Sequence, residues 1–184
     1  VLFHIENACD APPGCVLLAG AFSAVKKYES VKINCDLKKP GIEFEVLKLA
    51  ERNGVGSRII LTGRVDGKLC SSELFSNVEV FLNFEDLLEE EGIDIFALFH
   101  RNDKNFKDAL EIGAQKCLQY GVNVINCHYG LCTDLFFEVM QKNGLQISAW
   151  TVDQEEDIKR LLARGIYNIT TNSASKALCI RKNM

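Results

Sequence analysis

The stretch Gln146-Ile-Ser-Ala-Trp-Thr-Val-Asp153 constrains the fold more than any other part of the chain. It is an apolar run of strand length that holds the single tryptophan. An acidic helix start, Asp153-Gln-Glu-Glu-Asp157, follows directly, with Ile158, Leu161 and Leu162 on one helical face. Gly165 stops that helix, and a second short strand begins at Tyr167-Asn-Ile-Thr-Thr171. Strand, helix and strand with short joins read as a parallel βαβ unit, because parallel strands need a crossover between them. In such units the ligand lies at the carboxyl ends of strands, and Trp150 to Asp153 lies at one.

The pattern recurs upstream. Strands are expected to start near residues 31, 58, 78, 122, 146 and 166, nearly all followed by helices. No linker or low-complexity tract interrupts them, so residues 1–184 read as a single α/β domain, with 1–15 as a loop or strand remnant. Helices are expected over 16–28, with Leu17, Ala21 and Val25 on the inner stripe, and over 42–53, 106–120, 133–143 and 175–181. In the third of these, Ala109, Leu110, Ala114, Cys117 and Leu118 are expected to face inward. A short helix is expected within 69–75. Residues 92–99 suit either a strand or a helical excursion, and the acidic run Glu85 to Glu91 reads as a solvated helical face.

Composition narrows the function classes. With 184 residues, 47% of them hydrophobic, the chain can bury one substantial core. A net charge of −4 and scattered basic residues argue against a nucleic-acid surface. No uninterrupted apolar stretch approaches membrane-spanning length. Of the eight cysteines, Cys35, Cys117, Cys127 and Cys179 sit in apolar patterns as small hydrophobes. Cys127-His128 with Cys132 lacks the paired C-x-x-C spacing of a structural zinc site. Reduced, buried cysteines favour a reducing compartment, so a cytoplasmic location is expected.

Alternation along Val31 to Lys38 sets Val31, Ile33, Cys35 and Leu37 on one side and Lys32, Asn34, Asp36 and Lys38 on the other. In a (β/α)8 barrel, Asp36 and Lys38 would project together into the mouth, where a carboxylate beside an ammonium suits a divalent cation and an anionic substrate. The alternative is an amphipathic strand with a solvated polar face. A strand over 122–128 places Asn126 and His128 on one side at its carboxyl end. His128 there suits a ligand or acid/base role, or that of a satisfied structural histidine.

These motifs resemble a known family. Ile33-Asn-Cys-Asp36-Leu-Lys38, the segment from Val122-Asn-Val-Ile-Asn126 to Trp150-Thr-Val-Asp153, and Gly165-Ile-Tyr-Asn-Ile-Thr-Thr-Asn172 are similar to the glycerophosphodiester phosphodiesterase family. The resemblance runs from about residue 16 to the end. It implies a TIM (β/α)8-barrel hydrolase of lipid metabolism that uses Ca²⁺ or Mg²⁺ to cleave glycerophosphodiesters into glycerol 3-phosphate and an alcohol. It implies that Asp36 stands at a metal-ligand position where the family has Glu, and that Lys38 stands at the family's lysine. It also implies that Trp150 matches the tryptophan that packs on the glycerol end of the substrate. Asn126 and His128 join Lys38 and Trp150 as substrate-binding candidates. His4, in Val-Leu-Phe-His-Ile-Glu, matches the His of the family's His-Asp pair and is the acid/base candidate, although Ile5 follows it.

The sequence contains no His-Arg-Gly, and no Glu-x-Asp strand end precedes Asp36. A whole barrel of this type takes roughly 250 residues, so an N-terminally incomplete barrel is expected. Strand edges near 31 and 166 would then seek pairing, through a rearranged closure or a homodimer. Two functions follow from different classes: a metal-dependent phosphodiesterase, or a catalytically silent barrel fragment that serves as a binding or scaffold domain. Because Ca²⁺ and Mg²⁺ want several oxygen ligands, weak or no turnover is expected of this chain alone.

Overall fold

The computed structural model describes residues 14, 16–101 and 104–184. His4 and the expected loop or strand remnant, apart from Gly14, lie outside the described residues. The contacts group into two compact units, residues 1–66 with 72–80 and residues 67–71 with 81–184.

The first unit holds α1 (Leu18–Val25), β1 (Ile33–Leu37), α2 (Glu43–Arg52), β2 (Ile59–Gly63) and the first two residues of β3 (Glu79–Asn83). β1 and β2 run parallel, with Ile33 opposite Ile59 and Leu37 opposite Gly63, and β2 meets β3 through Ile60–Glu79 and Leu61–Val80. Alternation decides the strand faces, since Cys35, Leu37, Ile59 and Leu61 are buried. α2 forms where Glu43 and Glu45 favour the positive N-terminus and Arg52 the negative C-terminus. Its buried Val46, Leu47 and Ala50 share one face, and each larger one contributes about 1.5–3 kcal/mol by leaving water. Arg58 donates from Nη1 to the carbonyls of Tyr28 at 2.5 Å and Val31 at 3.2 Å, holding the α1–β1 loop against the start of β2.

α1 is shorter than its pattern suggested. Leu17 is the N-cap residue, makes no side-chain cap bond and is 78% exposed, so it does not lie on the inner stripe. The helix turns instead to bury Phe22, the largest apolar side chain it has to cover.

The second unit carries the rest of β3, then α3 (Phe84–Glu89), α4 (Ile95–His100), α5 (Phe106–Gln119), β4 (Val124–His128), α6 (Asp134–Lys142), β5 (Gln146–Trp150), α7 (Glu155–Ala163), β6 (Asn168–Ile169) and α8 (Ala174–Lys182). All pairings are parallel, β3 with β4, β4 with β5 and β5 with β6. Of residues 92–99, the part from Ile95 on is helical, because the Asp94 carboxylate accepts the Ala97 N–H at 2.9 Å and caps α4. Thr133 caps α6 in the same way, through the Phe136 N–H at 3.2 Å. Ala109, Leu110, Ala114 and Cys117 face inward on α5 as expected, whereas Leu118 is exposed. Gly113 takes part of that inner face, since a Cβ there would come within 2.2 Å of the Phe84 ring. The short helix expected within 69–75 is the 3-10 turn Glu73–Phe75, and a second such turn, Gly67–Leu69, precedes it.

Strand order follows chain order, β1-β2-β3-β4-β5-β6, with helical crossovers between strands. That succession is the (β/α)8-barrel pattern, with six of its eight strands among the described residues. No helix among the described residues is long and apolar enough to cross a membrane.

Candidate active site

In the first unit, Asp36 and Lys38 stand on the β1 face opposite the buried Cys35 and Leu37, half-exposed at the strand's carboxyl end. Lys38 Nζ donates to Asp36 Oδ2 at 2.5 Å. Beside them Thr62, the register partner of Asp36 on β2, donates from Oγ1 to Asn34 Oδ1 at 2.8 Å. Gly63 makes room for this arrangement. Its φ is +80°, and a Cβ would come within 2.2 Å of the Leu37 carbonyl oxygen and 2.4 Å of Asp36 Oδ1.

Glu43 organises the loops above these strands. It is fully buried, its Oε2 accepts the Gly41 N–H at 2.7 Å, and its Oε1 accepts the Asp66 N–H at 3.0 Å. Glu43 was not among the candidates singled out from the sequence; the only local signal for it is a Glu at a helix start after Pro40-Gly41, and that does not say which loop its second oxygen serves.

In the second unit, His128 and Trp150 are register partners on β4 and β5. Their rings meet edge to face with centroids 5.5 Å apart. Phe96 and Tyr129 lie against the imidazole at 5.9 and 4.8 Å. His128 Nδ1 accepts the Gly130 N–H at 3.1 Å, so a neutral ring carries its proton on Nε2. Trp150 Nε1 is buried and has no hydrogen-bond partner among the described residues.

Glu85 was expected on a solvated face, and the structure corrects this. Its Oε1 accepts the His128 backbone N–H at 2.7 Å, while Oε2 is buried without a partner among the described residues. Burial raises its carboxyl above the usual carboxylate range, partly offset by that backbone hydrogen bond. The run Glu85 to Glu91 has no periodic mark that separates Glu85 from its solvated neighbours. Only the packing of α3 against β4 does so.

Two residues further back along each strand lies a polar layer. Asn83, Asn126, Ser148 and Asn168 are successive register partners across β3 to β6. Asn126, expected to bind substrate, is only 7% exposed, and both ends of its amide are engaged within this layer.

Asp153 closes the far side of the unit, beyond the strand rather than inside the helix it was expected to start. Gln154 is the N-cap of α7. Asp153 Oδ1 accepts from Thr171 Oγ1 at 2.9 Å and the Asn172 N–H at 2.8 Å, and Oδ2 accepts from Asn172 Nδ2 at 2.9 Å. The Asn172 side-chain and backbone donors, with Thr171, hold its carboxyl below the usual range.

Cys35, Cys117, Cys127, Cys132 and Cys179 are in no disulfide. Cys127 and Cys132 are buried with their sulfurs 3.5 Å apart, whereas Cys179, expected among the buried ones, is exposed.

A sequence profile of the glycerophosphoryl diester phosphodiesterase family matches residues 28–176. No curated protein matches the sequence significantly. Among solved structures, the chain is similar to a proposed glycerophosphoryl diester phosphodiesterase of Agrobacterium tumefaciens, with 16% identity, TM-score 0.64, and 88% of this chain and 62% of that one covered. It is also similar to a proposed glycerophosphodiester phosphodiesterase of Galdieria sulphuraria, with 18% identity, TM-score 0.63, and coverage of 90% and 63%. A glycerophosphodiester phosphodiesterase of Parabacteroides distasonis matches with 14% identity, TM-score 0.61, and coverage of 90% and 63%. The chain thus spans about six tenths of the length of these structures. At such identities the likeness carries the fold.

Proposed function

The chain belongs to the glycerophosphoryl diester phosphodiesterase family, and on that premise we propose that its ligand is a glycerophosphodiester and its reaction hydrolysis to glycerol 3-phosphate and an alcohol. The observation that carries this reading is the Asp36–Lys38 pair at the carboxyl end of β1, where the family resemblance puts a metal-ligand carboxylate and a lysine.

Lys38 has three N–H donors, and one of them serves Asp36. The others are available to phosphoryl oxygens, whose developing charge an ammonium stabilises. Within the second unit, taken by itself, Trp150 offers a ring surface suited to an apolar ligand face, and His128 offers an Nε2–H donor beside it. The divalent cation that the resemblance implies does not fit the described residues by themselves. No group of three or more His, Cys, Asp or Glu among them is able to hold a metal, and the Asp36 carboxylate is already paired.

That same pairing favours a second reading, a domain that binds the phosphodiester without turning it over. The two are separated by incubating the chain with glycerophosphocholine, with and without Ca²⁺ or Mg²⁺, and following choline release alongside Trp150 fluorescence in glycerol 3-phosphate. Turnover that Asp36→Ala abolishes supports hydrolysis. Saturable fluorescence change without turnover supports binding. Neither signal overturns both.

A further inference from the structure

Four side chains in the second unit form a hydrogen-bonded ladder with a single direction. Asn168 Nδ2 donates to Ser148 Oγ at 2.9 Å, Ser148 Oγ donates to Asn126 Oδ1 at 2.9 Å, and Asn126 Nδ2 donates to Asn83 Oδ1 at 2.8 Å. Asn83 Nδ2 then donates to Asp86 Oδ2 at 3.1 Å, in the first turn of α3. We propose that this ladder is a positioning device for the His128–Trp150 pair, with Asn126 and Ser148 as its positioning residues and Asp86 as the group that sets its direction.

The four residues are Cα partners of one another, and two residues further along the same face His128 is the Cα partner of Trp150. Hydrophobic alternation penalises a one-residue slip, which would turn Ile125, Cys127, Ile147 and Ala149 away from their buried side. A two-residue slip keeps every side chain on its own face, so alternation cannot oppose it. The ladder does. Such a slip would set Asn126 opposite Gln146 or Trp150, leaving the amide and the fully buried Ser148 hydroxyl without their partners. Stranded polar groups in a buried layer are costly. The register that satisfies the ladder is the one that brings His128 against Trp150.

Direction follows from charge. An ionised carboxylate only accepts, so Asn83 must turn its Nδ2 towards Asp86 and its Oδ1 towards Asn126. Asn126 must then present Nδ2 to Asn83 and Oδ1 to Ser148, which leaves Ser148 to donate onward and accept from Asn168. One carboxylate orients three amides and a hydroxyl. Hydrogen bonds aligned in this way also polarise one another.

The test uses the full chain and its single tryptophan, whose near-ultraviolet circular dichroism reports how firmly the ring is held. In Ser148→Ala the Trp150 band falls by about half or more while the far-ultraviolet spectrum is unchanged, and Ser148→Thr, which keeps the hydroxyl, restores it. In Asp86→Asn the ladder loses its fixed sense, and the side-chain amide resonances of Asn83, Asn126 and Asn168 broaden or double. Unchanged Trp150 bands in folded Ser148→Ala and Asn126→Ala, or single unshifted amide resonances in Asp86→Asn, would overturn the proposal. These readouts need no ligand, so they stand apart from the failure of the glycerophosphodiester reading. Where glycerol 3-phosphate binds, Ser148→Ala weakens it by about tenfold and Ser148→Thr recovers it; unchanged affinity in Ser148→Ala would count against the positioning role.

Discussion

Glu85 Oε1 accepts the backbone N–H of His128 at 2.7 Å, so a carboxylate from the first turn of α3 satisfies the last residue of β4. The bond keeps the end of the strand next to the ring cluster that His128 makes with Trp150 and Phe96. It also strands the second carboxylate oxygen away from water.

That stranded oxygen has a pH signature. Burial raises the Glu85 pKa from its ordinary 4.5 in the folded state, so folding favours the protonated form. Its contribution to stability is present below the unfolded value and is lost as pH rises through the raised folded value. Glu85→Gln keeps an Oε1 acceptor for His128 and does not titrate. Urea midpoints taken between about pH 4 and pH 8 should therefore diverge in favour of Glu85→Gln as pH rises, by about 1.4 kcal/mol for each unit by which the pKa is raised. Parallel curves would refute the assignment.

Gly63→Ala should destabilise the chain by at least about 2 kcal/mol. Two penalties combine: a positive φ of 80° and a Cβ that meets the Leu37 carbonyl at 2.2 Å. The carboxylate of Asp36, 2.4 Å from the same Cβ, would have to move as well. Urea denaturation of the purified variant measures the loss, and a midpoint equal to that of the parent chain would contradict the geometry.

Asp153 ties the end of β5 to the segment after β6 through three accepted hydrogen bonds. Its folded-state pKa lies below the ordinary aspartate value of 3.8, so the ionised form is the one the fold prefers. The clasp should be fully made above that value and be lost as pH falls below it, through the depressed folded value. Amide hydrogen exchange at Asn172 should accelerate by about tenfold in Asp153→Ala. In the parent chain the protection factor of that amide, with the slower intrinsic exchange in acid divided out, should fall likewise as pH drops through the depressed value. Protection at Asn172 that survives the substitution would dismiss the clasp.

Thiol alkylation should follow burial. Cys179 is exposed and should react with iodoacetamide ahead of the buried thiols among the described residues. Burial pushes the thiol of Cys35 up to about 11 and that of Cys117 up to about 12, and raises Cys127 as well, so few thiolates exist there near neutral pH. Peptide mass spectrometry after short labelling should find these three unmodified until urea is added. Labelling of Cys35 at the rate of Cys179 would show that β1 opens far more readily than its packing implies.

Sequence by itself determined the parallel βα succession and the family. Period-two alternation in 31–38 and 122–128, glycine stops at Gly54, Gly121, Gly144 and Gly165, and the Trp150-Thr-Val-Asp153 strand end are local signals. Local signals are what hydrophobic patterning and turn chemistry encode. The same alternation put Asp36 with Lys38 and His128 with Asn126 before any contact was known. Tertiary structure alone decided which polar residues leave water and whom they meet. Glu85 and Glu89 look alike in an acidic run, yet only Glu85 reaches the His128 backbone, because that bond depends on where α3 lands relative to β4. Asp153 looks like a helix start and becomes a clasp, because its acceptors are used by residues 18 and 19 positions further along the chain. In the sequence, Asn83, Asn126, Ser148 and Asn168 are four polar residues with nothing to link them, and only Asn126 stands out, as a strand-end candidate. Their ladder exists only once parallel pairing sets them opposite one another, and spacing along a chain carries no record of register across a sheet.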